Sequence, residues 1–231
     1  MLSFELTEDD KDWLHKKYPD LQLASENDVS IVTGLFNFEA IYNGHIISDS
    51  YKVRIELKAS ALSELPRVRE TGSRIKQVAK SRKIDLADLH TYEDGTACLC
   101  VKPDEAQYFP DKFHFQRFIE ELVVPFFYAN SYFEQYSNWP WETYSHGSLG
   151  WLEWYFDQRT VSSTDTKGFI EELKSQHDWK GIHRDLIRKG GVKSHRACLC
   201  GSTKSYGICH PKAFKGLRKL ASDAKEFKLR T

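Results

Sequence analysis

The chain predicts an α+β fold: an antiparallel four-strand meander flanked by helices, followed by a small helical module built around a cysteine cluster. Three observations carry this. Residues 21–57 hold runs rich in β-branched and aromatic residues, the later ones alternating with polar positions. From Asp111 to Tyr136, apolar residues recur every three or four positions. The five cysteines fall in two tight groups, Cys98 with Cys100, and Cys198, Cys200 and Cys209 with His210 directly after the last.

A chain of 231 residues, 40% hydrophobic, accommodates one domain of about 150 residues plus an appendage. We place these at 1–161 and 162–231. No stretch approaches the roughly 18 apolar residues that span a membrane, and the acidic start Met1–Asp10 lacks the basic and apolar regions of a signal peptide. Unpaired cysteines then fit a reducing, cytoplasmic setting. The zero net charge hides a polarity. Residues 178–231 hold 14 Lys or Arg against 4 Asp or Glu, a balance of +10, so residues 1–177 carry −10. The tail suits an acidic partner, whether nucleic acid, an acidic protein or its own body, or it is a solvated basic surface.

Along the chain, Thr7 can cap a helix whose first turn is Glu8-Asp9-Asp10, whose apolar stripe includes Trp13 and Leu14, and which Pro19 closes. Leu21 and Leu23 mark a short strand and Val29 to Tyr42 a long one. Tyr51, Val53, Ile55 and Leu57 alternate with Lys52, Arg54 and Glu56, a strand with one wet face. Asn43-Gly44 between the last two is a hairpin turn. Residues 62–96 read as irregular, and Thr96 to Val101 as a short strand with both thiols on one face, about 6.6 Å apart. Asp111–Tyr136 reads as one long helix kinked at Pro125. Past Trp139-Pro140-Trp141, His146 lies in a glycine-punctuated loop, and Leu152–Phe156 resumes a helix. Ser162 to Lys167 is polar and reads as a linker. Short helices near 169–173 and 179–187 and the Gly190-Gly191 pair lead to the cysteine cluster. Pro211 then opens a last helix striped by Phe214, Leu217, Leu220, Ala224 and Phe227.

Cys198, Cys200, Cys209 and His210 supply three thiolates and an imidazole, the ligand count and spacing of a closed, structural zinc site. Free cysteines packed beside a helix are the alternative. The segment Cys198-Leu199-Cys200-Gly201-Ser202-Thr203-Lys204-Ser205-Tyr206-Gly207-Ile208-Cys209-His210 resembles the SEC-C motif, Cys-x-Cys-Gly-Ser-x-x-x-Tyr-x-x-Cys-His. The resemblance implies bound Zn2+ and an accessory contact with protein or nucleic acid.

Cys98 and Cys100 have only His90 nearby, so they are either a reactive pair or core packing. Pro66-Arg67-Val68, His90 and Gly95-Thr96-Ala97-Cys98-Leu99, after a helix and a meander, resemble the ubiquitin-conjugating (UBC) family, which runs Pro-Pro-Lys-Val, His-Pro-Asn and Gly-x-Ile-Cys-Leu in that order. Cys98 then matches the thioester-forming cysteine and His90 the motif histidine. Thr91-Tyr92 replaces the Pro-Asn pair, so the asparagine amide that would steady an oxyanion has no counterpart at that position. Trp139–Gly150 and the Cys-x-Cys arrangement look like bacterial UBC-like proteins of CBASS anti-phage operons, which encode a cGAS-like nucleotidyltransferase.

This resemblance implies a cysteine acyltransferase. Cys98 would take the nucleotidyltransferase's C-terminus as a thioester and pass it to an amine, with Cys100 as second acceptor or packing residue. Glu93 and Asp94 would oppose thiolate formation and Lys102 favour it. An inactive UBC-like scaffold and a zinc-containing nucleic-acid or protein adaptor stay open beside it.

Overall fold

The structure, a computed structural model, describes residues 4–59, 64–109, 113–188 and 191–229. It divides into two compact units, residues 1–142 and 143–231. The boundary expected after residue 161 falls inside the second of these. The start of the long helix at Asp111, and Gly190, lie outside the described residues.

The first unit opens on helix α1, Glu8–Lys17, closed at its start by a reciprocal capping box between Thr7 and Asp10. Strands β1 (Leu21–Glu26), β2 (Val29–Tyr42), β3 (His45–Glu56) and β4 (Arg67–Glu70) follow in an antiparallel sheet of sequential order. The β2–β3 turn is made by Asn43 and Gly44, with φ 47° and 81°, the left-handed pair that two-residue hairpins favour. Its register sets Phe36 opposite Tyr51. Both rings are buried and both meet Phe127, at 5.6 and 4.6 Å.

Phe127 belongs to helix α5, and the route to it corrects two expectations. Residues 62–96 were expected to be irregular, yet α2 (Arg74–Arg82) and a 3-10 turn, Leu86–Leu89, lie within them. Past a 3-10 turn at Lys102–Asp104 and the short α3 (Glu105–Tyr108), α4 (Phe115–Phe118) runs through a π turn, Ile119–Val123, into α5, Val124–Tyr136. The irregularity expected at Pro125 is thus the π turn before it. Pro125 lies inside this continuous helical run, where it cannot donate to the preceding turn, and the π turn just before it is where the hydrogen-bond ladder adjusts.

The second unit holds α6 (Gly147–Asp157), α7 (Ser163–Leu173), α8 (Trp179–Leu186), the single turn α9 (Tyr206–Cys209) and α10 (Pro211–Glu226). The expected linker 162–167 is instead a helix start. Ser162 and Asp165 form a capping box, and Thr166 is buried. Helices α6 and α10 touch backbone to backbone: a Cβ on Gly216 would lie 1.8 Å from the carbonyl oxygen of Leu152. Leu217, Leu220 and Ala224 of the expected stripe are buried, and Phe214 and Phe227 half-buried. Among the described residues, no helix is long and apolar enough to cross a membrane.

Candidate functional site

The mid-chain thiols sit on a tight loop against the edge strand. Ala97 N–H donates to Val68 O of β4 at 2.8 Å, and Arg69 bridges Thr96. Across the loop, Thr91 bridges Ala97, Tyr92 N–H donates to Thr96 O at 2.8 Å, and Cys98 N–H donates to His90 O at 2.7 Å. Gly95, at φ 84°, makes the turn, and Asp94 accepts the Thr96 N–H at 2.9 Å. The expected strand Thr96–Val101 does not form; these isolated bridges replace it. Thr91 and Ala97 are buried, whereas Tyr92 is 51% exposed and Cys98 half-buried.

Nor do the two thiols share one environment. Leu99 and Cys100 pack against the hydrophobic core. Cys98 Sγ instead makes a long contact, 3.7 Å, to Cys100 O, and the Tyr92 hydroxyl is near enough to act on the thiol. Burial raises the Cys98 thiol above its ordinary range. The Tyr92 hydroxyl opposes that rise and Glu105 adds to it. Burial raises Cys100 further, helped by Glu105 and Asp104. Glu105 is 7% exposed and accepts the Glu64 N–H at 2.8 Å. The carboxylate acting on both thiols is therefore Glu105, in place of the expected Glu93 and Asp94. Helix α3 brings it there, which spacing along the chain does not reveal.

His90 has a left-handed backbone, φ 49°, and its ring meets Trp139 edge-on at 5.2 Å. Trp139 also packs on Phe133 at 5.1 Å, and Trp141 on Tyr42 at 5.0 Å. The Trp139-Pro140-Trp141 segment thus ties the His90 loop and the β2–β3 hairpin to the core. His146 precedes α6 in the other unit.

The tail cysteines converge. A small hairpin bridges Ala197 to Ser205 and turns at Gly201, with φ 80°. It delivers Cys198 and Cys200, and α9 delivers Cys209 and His210. All four ligand atoms lie within 4.8 Å of one another. Cys198 Sγ is 3.1 Å from His210 Nδ1, and Cys200 Sγ is 3.7 Å from Cys209 Sγ. A tetrahedral zinc–thiolate site has sulfur–sulfur edges of about 3.8 Å. Burial pushes the Cys198 thiol up to about 12, while Cys200 is lowered to about 7, chiefly by the Ser202 hydrogen bond. This donor set can hold a metal ion and is compatible with zinc. With four protein ligands, a tetrahedral ion has no position left for substrate.

In comparison with known proteins, no family model, no curated protein and no solved structure matches the chain. The functional reading therefore rests on the two cysteine sites themselves. Cys198, Cys200, Cys209 and His210 come together. Cys98 and Cys100 are neighbours with different surroundings, and His90 reaches Cys98 through its carbonyl oxygen. Sequence reading passed over Glu105 and gave Tyr92 no role beyond standing, with Thr91, in place of Pro-Asn. Tyr92 carried a usable signal: across a turn centred on Gly95, it lies on the same outward side as Cys98.

Proposed function

We propose that the chain is a UBC-like cysteine acyltransferase, with Cys98 the acyl carrier and a structural zinc in the second unit. The observation that carries this is the placing of Cys98: half-buried, on a loop pinned to β4, and on the same outward side of that loop as the exposed Tyr92. The order of helix, four-strand meander, cysteine loop and helices supports the UBC-like reading. Deprotonation comes first: the Cys98 thiol gives its proton to water, because the thiolate is the nucleophile, and the raised thiol makes that thiolate scarcer but more nucleophilic.

The chemistry follows in two steps. The Cys98 sulfur attacks the carbonyl carbon of an activated protein C-terminus; the C–S bond forms and the activating group departs with its electron pair. An acceptor amine then attacks the same carbon, the C–N bond forms, the C–S bond breaks, and the proton the amine loses passes to the departing sulfur. The resemblance makes a cGAS-like nucleotidyltransferase the acyl donor, in cytoplasmic anti-phage defence. Cys198, Cys200, Cys209 and His210 would hold the zinc, which supplies folding energy to the second unit and no step of the transfer.

The test is intact-mass detection of a partner-bound thioester, cleaved by hydroxylamine and absent in Cys98→Ala. A conjugate undiminished in Cys98→Ala removes Cys98 as the carrier. The raised thiols and the nearby Glu105 favour a second reading, an inactive scaffold. Normal partner binding with no thiol-dependent conjugate selects it.

A further inference from the structure

The loop that carries Cys98 presents a second chemical group beside the sulfur. Thr91 pairs with Ala97, and both are buried. Tyr92 and Cys98 are therefore diagonal neighbours on the outward side of the same short ladder, a separation that an aromatic side chain spans. The Tyr92 hydroxyl and the Cys98 thiol are near enough to act on each other. The ladder is held by the two backbone bonds Tyr92 N–H to Thr96 O and Cys98 N–H to His90 O, at 2.8 and 2.7 Å, so the pair is set before any substrate arrives. Tyr92 is nonetheless 51% exposed, which leaves its surroundings open to an incoming acyl group.

We propose that Tyr92 is a catalytic residue of the Cys98 site, whose phenolic O–H donates to the oxyanion that forms when Cys98 is acylated. This rests on the acyl-carrier reading of Cys98. When the C–S bond forms, the sulfur gives up the lone pair that made it an acceptor. The negative charge appears instead on an oxygen bonded to the same carbon. A phenol beside the sulfur is within reach of that oxygen, one carbon away, and donates its hydrogen bond there. Burial and the neighbouring Cys98 raise the Tyr92 hydroxyl well above its ordinary range, so it stays protonated and serves as a donor, not a base. No proton leaves Tyr92 in this step: the Cys98 thiol proton passes to water, and the leaving group departs with its electron pair.

The experiment uses the full chain and p-nitrophenyl acetate as the acyl probe. Cys98 sulfur attacks the acetyl carbon, the C–S bond forms, the C–O bond breaks and p-nitrophenolate leaves. The result is a burst of p-nitrophenolate absorbance, and peptide mass mapping assigns the acetyl group to Cys98. Cys98→Ala sets the background from the other four cysteines. A parallel measurement follows iodoacetamide alkylation of Cys98, which forms no oxyanion. Tyr92→Phe should slow the burst about 10- to 100-fold while alkylation changes less than about threefold. An unchanged burst in Tyr92→Phe overturns the role of Tyr92 and leaves the carrier reading standing. Equal losses in both reactions also overturn it, since Tyr92 would then act on the thiolate alone. A wild-type burst no larger than that of Cys98→Ala overturns the carrier reading, and the role of Tyr92 falls with it.

Discussion

The two units use cysteine in opposite ways. In the first, a large aromatic core around Phe36, Tyr51 and Phe127 supplies the order, and the thiols are passengers on a loop at its edge. In the second, four side chains from a hairpin and a single helical turn meet at one point. The difference teaches that convergence, not cysteine content, marks a metal site. Cys98 and Cys100 are as close in sequence as Cys198 and Cys200. Among the described residues they have no second pair of donors such as Cys209 and His210 bring from α9.

Removing the metal tests this contrast with the largest effect. A closed thiolate–imidazole site contributes on the order of 10 kcal/mol to a small module at neutral pH. Chelation, or Cys209→Ala, should abolish amide exchange protection across 196–210, while β2 and β3 keep theirs. Metal content measured on purified protein should be close to one ion per chain and fall to background in the variant. Equal protection with and without metal would reduce the cluster to packed thiols.

A second way to sharpen the comparison leaves the cysteines alone. Gly216→Ala drives a Cβ to 1.8 Å from a backbone oxygen that has no rotamer to escape into, so the α6–α10 contact must open, at about 3 kcal/mol. Gly168, mid-helix in α7, is exposed, and an added methyl there would meet no atom within 4 Å, so Gly168→Ala should stabilise by about 0.5–1 kcal/mol. Urea titrations of the two variants should therefore move in opposite directions. A shared direction would mean that the close approach of α6 and α10 is not what orders this unit.

Thiol chemistry separates the groups next. Cys98 and Cys100 are raised, so their thiolate fractions at neutral pH lie below that of a free cysteine, and alkylation should accelerate close to tenfold per pH unit through neutral pH. Cys100, raised further and packed on the core, should be the slower of the two. In metal-loaded protein Cys198, Cys200 and Cys209 should resist alkylation across the same range. Peptide mapping at pH 7 and pH 9 reads all five at once, and a Cys98 rate that is flat with pH would contradict the raised thiol.

What the sequence made legible follows from how local each signal is. Asn43-Gly44 and the Thr7 cap act within four residues, and both appear as expected. The ligand set was legible because SEC-C spacing confines it to 13 residues. Helix α2 was not: Arg74–Arg82 buries only Ile75 and Ala79, so its apolar stripe is lost among charges. The Ser162–Asp165 capping box was present in the sequence, but polarity alone was read as a linker. The pairing of Tyr92 with Cys98, and the approach of Glu105, depend on a loop closed by backbone bonds over 90–98 and on α3. No periodicity announces either.

A small effect belongs to the first unit, where ionic support is a minor addition to the core. Burial alone would raise the Asp49 carboxyl, but hydrogen bonds from Arg74, Ser131 and the Ser50 N–H outweigh it and hold the group below the usual carboxylate range. A lowered folded-state value means that the stabilisation is complete above the unfolded value of about 4 and is lost as pH falls through the folded one. Arg74 is a third exposed and also pairs with Glu134 at 2.9 Å, so solvent and a second carboxylate dilute the loss of either partner. Asp49→Asn should accordingly cost about 1 kcal/mol at pH 7 and progressively less below pH 4, approaching wild type as the native carboxyl protonates. Urea midpoints at pH 7, 4 and 3 measure this directly. A difference that persists undiminished at pH 3 would assign the effect to packing beneath α5 rather than to charge.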